Sequence, residues 1–131
     1  MSRCWLGGAT GFLGSHVAAE LIERGFDVVL CSKSGGEVHG RRVESLDVLD
    51  PEAVSNSAAG AECAIVAVGG VSRREQDAAG MYRVHVEGTK SVMRGLRDAG
   101  VRRVVYASTS GTIAVGTDPD QIFDESAPGW P

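Results

Sequence analysis

The sequence predicts an α/β fold in which one doubly wound parallel sheet carries helices on both faces. Short apolar runs, typical of buried strands, alternate with longer stretches whose apolar residues recur every three or four positions, as on one face of a helix. Glycine makes up 18 of the 131 residues and separates many of these segments. Strands that alternate with helices form parallel sheets, and right-handed crossovers limit the expected strand order to 3-2-1-4-5.

Composition narrows the classes of function. A chain of 131 residues has room for one domain, predicted to span residues 1–131, and none for a separate substrate lobe. The formal net charge of −4 provides no positive field to hold nucleic acid or anionic lipid. No apolar run approaches the roughly 18 residues that cross a membrane, and no signal-peptide core follows the first methionine. We therefore expect a cytoplasmic protein without nucleic-acid or membrane partners.

The chain begins with a predicted βαβ unit. Residues 3–6 form an apolar strand, and a helix follows whose apolar residues are spaced three and four apart. Gly25 is expected to cap the end of that helix. Residues 28–31 are a continuous apolar run, which is typical of a strand buried on both faces. The unit has the usual length of about 30 residues.

The sequence patterns for the next two elements, a strand and a short helix, are weaker. Residues 42–46 predict a third strand. Asp50 then stands as a helix N-cap, with Pro51 at the first helical position and Glu52 in the first turn. This short helix is expected to end near Gly60.

The second half of the chain predicts two more strands around a long helix. The strands are residues 63–68 and 101–107, and the helix spans residues 74–99 with one apolar stripe and Gly100 as its cap. Everything from residue 108 to residue 131 is expected to form irregular loop.

The turn after the first strand indicates the ligand. Gly8, Gly11 and Gly14 lie where a strand passes into a helix inside a βαβ unit, the setting in which such spacing predicts dinucleotide binding. Gly8 permits the tight turn, Gly11 lets the backbone approach a diphosphate, and Gly14 allows close packing of helix on strand. The diphosphate would face the N–H groups at the helix N-terminus. The alternative is a glycine-rich turn with no ligand.

These residues resemble the extended short-chain dehydrogenase/reductases, the NAD(P)-dependent epimerase/dehydratase group that includes dihydroflavonol-reductase-like enzymes. Residues 7–14, G-G-A-T-G-F-L-G, are similar to the T-G-x-x-G-x-x-G signature, with Gly7 in place of Thr. Residues 47–50, D-V-L-D, resemble G-D-L-x-D, and residues 68–70, V-G-G, resemble L-A-A or L-A-G. Residues 84–89, V-H-V-E-G-T, resemble V-N-V-x-G-T, with His85 in place of Asn. Residues 104–110, V-V-Y-A-S-T-S, resemble V-V-Y-T-S-S.

The resemblance implies a Rossmann-type, three-layer αβα fold, here without the later strands and the substrate lobe. It also implies that Asp47 accepts a hydrogen bond from the adenine amino group. The cofactor-binding residues expected from the glycine turn and the resemblance are Gly8, Thr10, Gly11, Phe12, Leu13, Gly14, Ser32, Lys33, Asp47, Val48, Val68, Gly69 and Gly70.

The end of the second strand favours NADP over NAD. A carboxylate there would bind the ribose diol of NAD, whereas a cation stabilises the 2′-phosphate of NADP. The residues present are Ser32 and Lys33, and the first carboxylate is Glu37. Lys33 is alternatively a solvated loop residue. Arg73 and Arg74 follow the fourth strand, where they would meet a phosphate or substrate anion or begin a solvated helix.

Three hydroxyl residues follow the fifth strand, at the end of the sheet where ligands of parallel folds lie. By resemblance, Thr109 takes the position of the Ser that polarises the substrate, and Ser108 and Ser110 are the other candidate catalytic residues. The alternative is that all three cap the strand end.

The general acid/base expected from the resemblance, a tyrosine in a Y-x-x-x-K pair, does not occur in residues 1–131. Tyr82 and Tyr106 are the tyrosines present, and neither has a lysine four residues later. Residues 124–128 resemble the acidic loop that precedes the tyrosine helix in the family. The expectation is an amino-terminal part of a longer enzyme, which by itself binds dinucleotide but does not turn over. Because its sheet is uncovered, we expect this chain to form a homodimer or another self-associated state, or to be poorly soluble.

Cysteines and histidines predict no metal site. The three cysteines are odd in number and lie far apart in apolar stretches, which is typical of buried, reduced thiols: Cys4, Cys31 and Cys63. The three histidines have no metal-ligand spacing with each other or with the cysteines: His16, His39 and His85.

Two functions therefore stay open. The first is the NAD(P)-binding portion of an oxidoreductase, epimerase or dehydratase that acts by hydride transfer on a small carbonyl, alcohol or sugar-nucleotide substrate. The second is a non-catalytic module that binds the dinucleotide for sensing or regulation.

Overall fold

The computed structural model describes residues 1–128, within which the chain forms a six-stranded sheet covered by helices. The strands are β1 (Arg3–Gly7), β2 (Asp27–Ser32), β3 (Gly36–Val38), β4 (Arg41–Ser45), β5 (Cys63–Val66) and β6 (Arg103–Tyr106). The α-helices are α1 (Phe12–Glu23), α2 (Pro51–Ser57), α3 (Ala78–Tyr82) and α4 (Gly88–Asp98). Two 3₁₀ turns, Glu75–Asp77 and Ser110–Thr112, and a π-helical turn, Arg83–Glu87, complete the elements.

The sheet has the strand order β3-β4-β2-β1-β5-β6. All neighbouring strands are parallel except β3 and β4, which form an antiparallel hairpin. The predicted α/β class is confirmed, and the five parallel strands follow the predicted arrangement. The predicted order was wrong in omitting β3, a three-residue edge strand in a polar, glycine-rich segment that has no strand pattern.

The hairpin depends on a two-residue turn. His39 and Gly40 both have positive φ, at 50° and 70°, the backbone of a type I′ turn. The imidazole Nε2 of His39 lies 2.9 Å from the carbonyl oxygen of Ser15 in α1. This contact fastens the hairpin to the first helix.

Each face of the sheet has its own core, because successive side chains of a strand point to opposite faces. Cys4 and Leu6 of β1 pack with Ala18 and Leu21 of α1. Trp5 points the other way. The second core contains residues from three elements on that face: Trp5, Val54, Val92 and Leu96. Helix α1 thus covers one face and α2 with α4 the other, as the three-layer prediction requires.

The predicted helix at residues 74–99 is interrupted. The chain passes from a 3₁₀ turn through α3 and a π-helical turn before α4 begins at Gly88. Apolar spacing of three and four residues does not reveal a π-helical turn, in which the hydrogen bond spans five residues instead of four.

The other boundaries differ by a few residues. The fourth and fifth predicted strands end or begin inside their expected ranges, since β5 is Cys63–Val66 and β6 is Arg103–Tyr106. From residue 108 to residue 128 the final segment is irregular except for the 3₁₀ turn Ser110–Thr112, which the sequence did not predict, and residues 129–131 of that prediction lie outside the described part of the chain. Within residues 1–128, none of the helices has the length and apolar character to span a bilayer.

Candidate functional site

A cleft of about 550 Å³ opens at the carboxyl ends of the parallel strands. Loops that follow β1, β2, β4 and β5 form its walls, and residues of α3 and the π-helical turn close one side. Ten of the thirteen predicted cofactor residues line it: Gly8, Thr10, Gly11, Ser32, Lys33, Asp47, Val48, Val68, Gly69 and Gly70. The other three, Phe12, Leu13 and Gly14, form the first turn of α1 and do not line the cleft.

The three glycines of the turn differ in what surrounds them. A Cβ on Gly8 would lie 2.4 Å from the carbonyl oxygen of Ala67, and one on Gly14 would lie 1.9 Å from the carbonyl oxygen of Gly8. Gly8 also has a φ of +85°. A Cβ on Gly11 would make only an ordinary contact, 3.4 Å from the carbonyl oxygen of Gly8. Folding therefore requires glycine at positions 8 and 14. Position 11 lines the cleft and has space for a Cβ, so folding does not require glycine there.

The N-terminus of α1 is uncapped. Gly11 is the N-cap residue, no side chain of the described residues caps this end, and the first turn holds no acidic residue. The first N–H groups of a helix have no partner inside the helix, and they carry partial positive charge. These donors therefore suit an anion such as a diphosphate.

Two hydrogen bonds hold the loop after β2. Ser32 is buried, and its Oγ accepts a 3.0 Å hydrogen bond from the Gly35 N–H. The Oγ of Ser45 donates to the carbonyl oxygen of Lys33 over 2.9 Å. The exposed Lys33 side chain thus starts from a fixed backbone at the edge of the cleft.

Asp47 follows β4 and lines the same end of the cleft. Its Oδ1 accepts a 3.0 Å hydrogen bond from the Leu49 N–H, which holds the carboxylate in one orientation. The carboxylate retains further acceptor capacity, because an ionised Asp offers about four lone-pair sites.

Cys31 lies in the inner wall of the cleft and is buried. Its Sγ is 3.1 Å from the Oγ of Ser57, which also accepts from Trp5 Nε1 at 3.0 Å and donates to Glu44 Oε2 at 3.2 Å. In the contact between Cys31 and Ser57, either the thiol or the hydroxyl can donate. Burial raises the pKa of Cys31 to about 11, so this thiol stays neutral and unreactive near pH 7.

The candidate catalytic residues Ser108, Thr109 and Ser110 are exposed, follow the carboxyl end of β6, and do not line the cleft. Thr109 caps the 3₁₀ turn, its Oγ1 accepting from the Gly111 N–H at 3.4 Å. The alternative that the sequence left open was that all three residues cap the strand end; here Thr109 caps the 3₁₀ turn that follows it.

Sequence reasoning missed one wall of the cleft. Gly80, Arg83 and Val84 line it from α3 and the π-helical turn. Their spacing of three and four residues places them on one helix face, but spacing alone does not show that this face lines the cleft. Arg73 and Arg74, which the sequence suggested for anion binding, are exposed and do not line the cleft.

The chain is similar to longer proteins, among them a sterol demethylase protein and a ketoreductase. The sterol demethylase protein B of Methylococcus capsulatus is 34% identical over 123 residues, which cover 90% of this chain and 37% of that protein. A 4-hydroxy-2-methyl-3-oxo-4-farnesyl-3,4-dihydroquinoline-1-oxide ketoreductase of Stigmatella aurantiaca is 30% identical over 96% of this chain and 39% of that protein. The chain spans only 25% to 41% of the length of the curated relatives it matches.

Solved structures show the same fold. UDP-glucose 4-epimerase from Brucella ovis, solved in complex with NAD, superposes with a TM-score of 0.85 over 100% of this chain and 42% of that chain, at 23% identity. A short-chain dehydrogenase/reductase superfamily protein from Agrobacterium tumefaciens with bound NAD superposes with a TM-score of 0.75 over 84% of this chain and 33% of that chain, at 26% identity.

The family model of NAD dependent epimerases and dehydratases matches residues 5–131, nearly the whole chain. This match confirms the resemblance that the glycine turn and the later motifs indicated. The chain belongs to the NAD dependent epimerase/dehydratase family.

Proposed function

We propose that this chain binds a nicotinamide dinucleotide across the cleft, with the diphosphate at the N-terminus of α1. The observation that carries the proposal is the combination of an uncapped helix end with a bare Gly11 beside it. The adenosine half would lie toward Lys33 and Asp47, and the nicotinamide half toward the turn after β5. When bound, such a cofactor supplies hydride transfer chemistry.

Fluorescence titration of the purified chain with NADPH and NADH tests this proposal. Gly11→Val places a branched side chain where the diphosphate would approach, and we expect at least a tenfold loss of affinity. Gly111→Val, at an exposed glycine outside the cleft, serves as the control and should bind as the wild type does. Equal binding by the wild type and Gly11→Val would contradict the proposal that the glycine turn binds the diphosphate.

We further propose that the chain prefers NADP to NAD. Lys33 supports this, because its backbone is fixed beside the cleft and no carboxylate takes its place at the end of β2. Lys33→Glu should weaken NADPH binding about tenfold or more, and it should leave NADH binding no weaker, because a carboxylate at this position binds the ribose diol of NAD. Lys90→Glu, on the surface of α4, is the charge-matched control. Equal wild-type affinities for the two nucleotides would contradict the preference.

We also propose that the encoded protein is a hydride-transferring reductase, epimerase or dehydratase, acting on a small carbonyl, alcohol or sugar-nucleotide substrate. In it, Thr109 would polarise the substrate, with Ser108 or Ser110 as the other candidates. The greater length of the relatives supports a further segment that supplies the Y-x-x-x-K pair. The coding sequence beyond Pro131 tests this, since absence of the pair would instead favour a dinucleotide-sensing module.

Two further proposals concern the 131-residue chain itself. It should bind dinucleotide without turnover, and it should self-associate through the open edge of β6. The three free cysteines support a reducing compartment such as the cytoplasm.

A further inference from the structure

His85 connects the helical wall of the cleft to its rim. It lies in the π-helical turn Arg83–Glu87, and its Nε2 is 2.8 Å from the carbonyl oxygen of Gly70. A carbonyl oxygen only accepts, so Nε2 carries the proton and donates it. The Gly70 N–H lies 3.5 Å from the same nitrogen, too far to compete with this bond.

The imidazole ring also rests directly on Gly69. A Cβ at Gly69 would lie 2.9 Å from Cε1 of His85, a separation that side chains do not tolerate without movement. The ring and the turn are therefore shaped for each other, and both glycines of this turn line the cleft.

The backbone of His85 is fixed from the opposite side. The Oγ1 of Thr89 donates to the carbonyl oxygen of His85 and lies 2.8 Å from the hydroxyl of Tyr106. Since Thr89 has one proton to give, the Tyr106 hydroxyl donates to Thr89. A chain of hydrogen bonds thus runs from the cleft rim through His85 to the end of β6, where the polar segment 108–110 begins.

We propose that His85 is a positioning residue that holds the Gly69–Gly70 turn in the shape that receives the nicotinamide riboside half of the dinucleotide. This inference rests on the proposed function, in which the diphosphate lies at α1 and the adenosine lies on the Lys33 side. The remaining half of the ligand must then cross β1 and meet the turn that follows β5.

The test compares the full dinucleotide with ADP, which has the adenosine and the diphosphate but lacks the nicotinamide riboside. His85→Ala should bind whichever of NADPH or NADH the wild type prefers roughly three- to tenfold more weakly, the loss expected for one hydrogen bond. Its affinity for ADP should stay that of the wild type. His85→Gln places an N–H at nearly the reach of Nε2 and should restore most of the dinucleotide affinity.

A matched control is available in the same helical turn. Glu87→Ala removes a carboxylate that pairs with Lys90 on the surface, and it should change neither affinity. An equal loss of ADP and dinucleotide affinity in His85→Ala, or no loss of either, would overturn the role of His85. A wild-type chain that binds neither ligand would overturn the proposed function, and this inference with it.

A double-mutant cycle adds a test that does not depend on one variant. Gly69→Ala should displace the ring and weaken dinucleotide binding by itself. In the His85→Ala background the ring is gone, so Gly69→Ala should add little further loss. Additive losses in the double variant would show that Gly69 and His85 act separately, and would contradict the proposal.

Discussion

Gly11 is the glycine of the first turn that folding does not require. Its backbone, with φ of −74° and ψ of 171°, is open to any residue and suits a capping side chain. Gly11→Asp should therefore raise the free energy of unfolding by about 0.5–1 kcal/mol, because its carboxylate caps the helix and faces the positive dipole end. The same carboxylate occupies the diphosphate position, so dinucleotide affinity should fall more than tenfold.

Urea unfolding and fluorescence titration measure these two effects together. Gly11→Asn is the uncharged control, which caps the same helix and should retain more affinity than Gly11→Asp. A Gly11→Asp protein that binds dinucleotide as tightly as the wild type would place the diphosphate elsewhere.

Cys31 makes the folding stability of the molecule fall at alkaline pH. Burial raises the pKa of this thiol from the ordinary 9.0 to about 11, although the Ser57 contact lowers it. Above pH 9 the unfolded chain loses the proton while the folded chain keeps it, so stability falls through pH 11. The expected contribution is about 1 kcal/mol per pH unit. Urea unfolding from pH 8 to 11 should show a shallower decline for Cys31→Ser, which keeps a hydroxyl beside Ser57 but does not titrate in this range.

At the scale of elements, the packing of α4 on α2 depends on Gly95. A Cβ there would lie 2.6 Å from both the Pro51 carbonyl oxygen and the Val54 Cβ. Gly95→Ala should cost about 1–3 kcal/mol of unfolding free energy, despite the higher helix propensity of alanine. Gly80→Ala in α3 is the counterpart: nothing among the described residues lies within 4 Å of its Cβ, and it should be neutral or slightly stabilising. Thermal unfolding of both variants tests whether close helix contact decides if a glycine-to-alanine substitution lowers or raises the stability.

The elements also show what sequence patterns can and cannot predict. Buried strands were predictable because burial on both faces leaves a continuous apolar run, as in residues 28–31. The glycine turn was predictable because Gly8 and Gly14 meet backbone atoms at close range. Strand β3 was not, since three residues paired by backbone hydrogen bonds need no apolar pattern. Arg83 was missed because its place in the cleft depends on how a helix passes the sheet, which spacing alone does not give.

At the scale of the whole molecule, the two faces of the sheet are unequally covered. On the α1 face Val105 of β6 is 64% exposed, and its neighbour Ile65 is partly exposed. The outer edge of β6 pairs with no strand in residues 1–128 and presents free backbone groups. We expect the chain to self-associate in a concentration-dependent way, measured by light scattering.

Val105→Lys should lower the apparent mass at equal concentration, because a charge on this face opposes burial. Val115→Lys, at a similarly exposed valine outside the sheet, should leave the mass unchanged. A monodisperse wild-type monomer at all concentrations, with a cooperative melt, would contradict self-association through this face.

The bare end of α1 has a consequence for the lifetime of the protein. A nucleotide bound there would cap the helix N-terminus, which no side chain of the described residues caps. A ligand present at a hundred times its dissociation constant adds about 2.7 kcal/mol to the free energy of unfolding. Chains that lose their nucleotide would open more often and be cleaved sooner by proteases. Under the proposed function, the abundance of the polypeptide would then follow the supply of the nucleotide.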